Sequence, residues 1–180
     1  IVVVGERFLS ISTTAANGRG VQASNFGTSG NADASMSETA GSVKTTGRNA
    51  YGILAEIGTP SNLAIVTATM DGGTITTEGD QSTAVYAFSR GQGAVNALIS
   101  NGVVDTAGIF SNGIYAWIFN SGSLADATST FIDGSITTRE RSSVGVAAQT
   151  SGQGNVMARM EGGDISTRGD SSFGLYAQIT

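Results

Sequence analysis

The chain has 180 residues with a net charge of −5; 13% of residues are charged and 39% hydrophobic, with no Cys and no His. The acidic balance lacks the basic stripe that nucleic-acid phosphates or an anionic membrane surface require, and no apolar run approaches the ~18 residues of a membrane span. Disulfides, thiolate zinc sites, Cys nucleophiles and His-dependent triads are excluded by composition. The 26 Gly with abundant Ala, Ser and Thr make up the charge deficit in a chain apolar enough to fold.

The chain opens on Ile1-Val-Val-Val4, too short for a signal-peptide core, and without an initiator Met, which reads as a processed or excised chain. Val2 and Val4 alternate as in a strand, whereas Phe8 and Leu9 fall where later segments carry corner residues. Residues 1–10 are therefore expected to form an irregular first rung. From residue 11 to residue 180 one motif is written six times. Its anchors are Ile11, Val43, Ile75, Val104, Ile136 and Ile165, spaced 32, 32, 29, 32 and 29 residues apart. With the anchor as position zero, position two is always Thr (Thr13, Thr45, Thr77, Thr106, Thr138, Thr167). Position four is Gly in Gly47, Gly79, Gly108 and Gly169. Position ten is aliphatic, and position twelve is Ala23, Ala55, Ala87, Ala116, Ala148 and Ala177. A period of this kind announces a repeat architecture.

Alternate side chains of a strand share a face. The anchor and its Thr thus line one inner wall, and position ten and the closing Ala line a second. A third alternating run precedes the anchors, as in Val66, Ala68 and Met70 or Val95, Ala97 and Ile99; before Val43 it reads Ala34, Met36, Glu38, with Glu38 a blemish. The longer copies carry extra residues in one corner, as in Gly58-Thr-Pro-Ser-Asn62, where the shorter ones have Ser89-Arg-Gly-Gln-Gly93. The sequence predicts an all-β fold, a parallel β-helix of about six rungs of 29–32 residues with three short strands each. Residues 1–180 form a single solenoid segment, about 29 Å long at ~4.8 Å per rung. Two finer expectations follow: the Thr column forms a hydroxyl ladder along the axis, and the glycines turn the corners at positive φ. Neither end carries a cap, so the chain is expected to be a fragment of a longer solenoid or a subunit that stacks end to end.

Several chemistries are set aside. Asp71, Asp133 and Glu161 fall near one corner, where a carbohydrate-cleaving β-helix would gather carboxylates, but Asn101 interrupts their column and acidic residues favour exposed turns anyway. Gly72-Gly73 and Gly162-Gly163 lack the nine-residue spacing of calcium-binding repeats. An outward Thr-x-Thr ladder for ice is broken by Lys44, Glu78, Asp105, Arg139 and Arg168. No catalytic or metal-binding residue and no cofactor is assigned. The candidate partner-binding residues are Tyr86, Phe88, Tyr115, Trp117, Phe119 and Tyr176 on the outer side of the second strand. They form an aromatic strip interrupted by Ala147 and Gln149. The tyrosines suit a ladder that stabilises neighbouring strands, whereas Trp117, a lone exposed Trp, suits a contact.

The runs Gly134-Ser-Ile-Thr-Thr138, Gly113-Ile-Tyr-Ala116 and Gly162 to Ala177 resemble the loose repeats of bacterial type V autotransporter passenger domains of the pertactin-like β-helical group. The resemblance covers about residues 11–180. It implies a non-enzymatic structural or adhesive stalk, extracellular, displayed at or secreted from a bacterial surface. Its partners would be a host or neighbouring-cell protein or glycan, or copies of itself, with no nucleic acid and no membrane insertion by this segment. A self-stacking extracellular filament subunit is the alternative, and a glycan-active β-helix the third.

Overall fold

The computed structural model describes residues 2–4, 10–37 and 40–180. Its strands in chain order are β1 (Val2–Val4), β2 (Ser10–Thr13), β3 (Arg19–Asn25), β4 (Ala32–Met36), β5 (Ser42–Thr45), β6 (Tyr51–Ile57), β7 (Val66–Thr77) and β8 (Val85–Ser89). They continue as β9 (Val95–Thr106), β10 (Ile114–Ile118), β11 (Ala127–Phe131), β12 (Ser135–Thr138), β13 (Val144–Thr150), β14 (Val156–Met160), β15 (Asp164–Thr167) and β16 (Phe173–Ile179). Each pairs in parallel with its counterpart one rung away. The second face is one sheet, β3-β6-β8-β10-β13-β16. The first and third faces merge, because β7 and β9 run through the corner between them, with irregularities at Asp71. The fold is all-β, a parallel solenoid of about five turns, which gives a rod of about 24 Å at ~4.8 Å per turn. Val2 and Val4 pair with Ala34 and Met36, so β1 holds a third-face place. Phe8, Leu9 and Glu38 lie outside the described residues.

The register places like on like. Val43, Ile75, Val104, Ile136 and Ile165 follow one another up the first face, and Ala55, Ala87, Ala116, Ala148 and Ala177 up the second. The aliphatic anchors from Val43 to Ile136 are buried, as are Ile53, Val85, Ile114 and Val146 opposite them. Burying each such side chain stabilises the fold by about 1.5–3 kcal/mol. The narrow Ala column joins the buried core, which also holds Phe131 from the third face.

The corner between the first and second faces departs from expectation in three ways. First, the threonines form no axial ladder. Thr45, Thr77 and Thr106 are buried and donate instead within their own rung, to the carbonyls of Ala50, Ser82 and Ser111 at 3.0–3.2 Å. Second, the bonds between rungs come from serine at position seven. Ser82, Ser111 and Ser143 each accept the N–H of position seven one rung earlier, at 3.0–3.1 Å, and donate to the position-four carbonyl of that rung, at 3.0–3.2 Å; Ser172 continues the series. Third, the positive φ belongs to position six, not to the position-four glycines. Asn17, Asn49, Gln81, Phe110, Ser142 and Ser171 have φ of 53–59°. Gly79 and Gly108 serve close approach, since a Cβ on either would lie 2.0 Å from the carbonyl oxygen of the glycine one rung before.

Replacing Ser111 by Ala strands the Ser82 N–H and the Gly79 carbonyl and is expected to cost about 2–4 kcal/mol, whereas Thr77→Val strands one carbonyl and is expected to cost about 1 kcal/mol. Urea unfolding of both variants checks the order; equal losses would refute the serine ladder.

Candidate functional site

The outer side of the second face carries two neighbouring columns. Position eleven runs Leu54, Tyr86, Tyr115, Ala147, Tyr176, and position thirteen runs Glu56, Phe88, Trp117, Gln149, Gln178. In-register pairing sets the rings one rung apart, which is the spacing at which aromatic pairs interact. Tyr86 and Tyr115 stack with centroids 5.3 Å apart, Phe88 lies 5.3 Å from Trp117, and Tyr115 is nearly parallel to Trp117 at 5.8 Å. Phe119 closes the row edge-on to Trp117 at 5.4 Å, and Arg90 rests 5.7 Å from the Phe119 ring. Tyr51, absent from the sequence-derived set, extends the ladder at 5.0 Å from Tyr86, and the Arg19 guanidinium sits 4.4 Å over it. The structure thus joins Tyr86, Phe88, Tyr115, Trp117 and Phe119 into one patch. Tyr176 stands apart beyond Ala147 and packs with Phe173.

Exposure sorts these residues. Tyr86 is only 8% exposed and acts as the base of the patch, while Phe119 is 51% exposed and forms its free edge. Trp117 is not a lone exposed Trp: it is half-buried between Phe88, Tyr115 and Phe119, and its indole N–H is shielded without a partner. Burial pushes the Tyr86 phenol well above its ordinary range, helped by the neighbouring Tyr51. Burial also raises Tyr115, with Tyr176 adding to it, and Tyr51, with Arg19 opposing.

The carboxylates set aside above are each engaged separately. Asp71 accepts from Ser100 at 2.7 Å and Asn101 at 3.2 Å, which hold its carboxyl below the usual range, the reverse of what a proton donor requires. Asp133 accepts from the Gly134 N–H, and Glu161 pairs with Arg159. Lys44 with Glu78, and Asp105 with Arg139, bridge successive rungs on the first face at 2.7 and 2.5 Å. Among the described residues no group of His, Cys, Asp or Glu is placed to hold a metal ion.

The sequence also contains the triplet Arg168-Gly169-Asp170. It lies at the exposed corner after β15 with both charged side chains in solvent. Its glycine is required by packing, since a Cβ there would meet the Glu140 carbonyl group at 2.1–2.2 Å. Asp170 and Arg168 are held in the coil through backbone bonds to Ser142 and Thr138, at 2.9 and 3.0 Å.

No family model, no curated protein and no solved structure matches this chain.

Tyr51, Tyr86 and Tyr115 link stability to alkaline pH. Their phenols hold protons more tightly folded than unfolded, where the pKa is about 10. Their contribution is therefore complete below that value and is lost as pH rises through and above it. The unfolding midpoint is expected to stay level to about pH 9 and to fall beyond about pH 10, with tyrosinate absorbance from Tyr86 and Tyr115 appearing only on unfolding. Free titration of Tyr51, Tyr86 and Tyr115 in the folded chain would contradict their buried placement.

Proposed function

We propose that this chain is a non-enzymatic structural and adhesive rod, displayed at or released from a bacterial surface, that presents one contact face along its length. The observation that carries this reading is the aromatic patch ending in exposed Phe119 beside Arg90. Aromatic and Arg side chains dominate interface hot spots, and a partly buried ring set in a fixed frame contacts a partner with little loss of conformational entropy. The frame suits that task, because the rungs are tied by backbone ladders and, from Ala50 to Ser172, by the serine column as well. The Arg168-Gly169-Asp170 corner supports the same reading. It offers a guanidinium and a carboxylate one residue apart to a receptor cleft of complementary charge.

Beads coated with the chain are expected to adhere to epithelial monolayers. Phe119→Ser combined with Arg90→Ser is expected to reduce capture about tenfold, the loss of one hot spot, with the thermal midpoint within a few degrees. A free Arg-Gly-Asp-Ser peptide, the sequence of 168–171, tests the second contact by competition. Antibody labelling of intact source cells tests display. Beads that fail to adhere to any cell type, or label that appears only after permeabilisation, would overturn the proposal.

A further inference from the structure

The position-eleven column has one missing rung. Tyr115 pairs in register with Ala147 and Ala147 with Tyr176, so the two tyrosines stand two rungs apart, about 9.6 Å. Where the column is filled, Tyr86 and Tyr115 follow one another at 5.3 Å. The gap over Ala147 therefore has the thickness of one ring, with an aromatic wall about 4.8 Å away on each side. It opens as a cavity of about 330 Å³ with no charged residue in its lining. This is the lower end of the range of small-molecule sites.

Polar groups surround the slot at the level of a ring edge. Asn112 accepts the Val144 N–H on its side-chain oxygen at 2.9 Å, which leaves its amide N–H groups without a partner among the described residues. Gln149 accepts the Tyr115 hydroxyl at 2.5 Å and likewise keeps its amide donors. Ser142 lines the same cavity. A flat aromatic occupant would satisfy the walls but leave these donors desolvated and unpaired, which is costly. A sugar ring meets both demands, since its C–H face packs on a tyrosine while hydroxyl or acetamido oxygens at its edge accept from the amides.

We propose that the slot over Ala147 binds one pyranose ring of a neutral glycan between Tyr115 and Tyr176. The proposal rests on the adhesive reading above and assigns it a ligand class at a place distinct from Phe119. One ring in a half-open site is expected to bind with a dissociation constant on the order of a millimolar.

The test uses the full chain and three probes, chitotriose, maltotriose and cellotriose, followed by calorimetry and by the fluorescence of Trp117, the single Trp, whose ring lies 5.8 Å from Tyr115. Saturable binding of at least one is expected. Ala147→Tyr completes the ladder and should abolish binding with the fold intact. Tyr176→Ala removes one wall and should weaken binding about tenfold, the loss of one stacked ring. No saturable binding of any probe, binding undiminished in Ala147→Tyr, or saturation by tetramethylammonium or a tyrosine peptide in place of sugar would overturn the proposal. Bead capture by the unsubstituted chain while it binds none of the three sugars would sink the slot and leave the adhesive reading standing.

Discussion

Everything in this molecule depends on parallel, in-register pairing of each rung with the next. Once backbone hydrogen bonds align equivalent positions at ~4.8 Å, each column must accept its own kind above and below. The anchors stay within the Val and Ile size range, and the closing position admits only Ala. Position four is small in five of six copies, where the corners nearly touch, with Glu140 the exception. The repeat is thus the consequence of a stacking rule applied at every column.

That rule explains why the architecture was legible and the corners were not. Ile75, Thr77, Val85 and Ala87 reveal two walls by alternation alone, because period two is a property of the strand itself. The route of the hydrogen bonds is not visible in alternation. Thr77 looked like a rung-to-rung ladder but closes its own corner on Ser82. The serine series Ser82, Ser111, Ser143, Ser172 stood in the sequence as a column, and only the geometry shows each hydroxyl bridging two backbone groups of the adjoining rung. Composition also assigned positive φ to Gly79, while the coil imposes it on Gln81 and even on Phe110, a bulky residue for which it is uncommon.

The aromatic face followed the same pattern. Alternation places Tyr86, Tyr115 and Trp117 outward, and they are outward. Outward was equated with exposed, however, and lateral packing between columns buries Tyr86 and half-buries Trp117. What remains available is set by edges and gaps in the array, at Phe119 and over Ala147, and these depend on neighbours that single-column reading does not consider.

The direction of the ladder bonds has a mechanical consequence. They run along the rod, so tension between its ends loads them directly and concentrates on whichever terminal rung is weakest. The coil would yield by peeling, one rung at a time, with the rest still folded. Each rung of 29–32 residues would release about 100 Å of extended chain in place of ~4.8 Å of rod. A rod built this way lengthens in steps under load and dissipates the pull rung by rung.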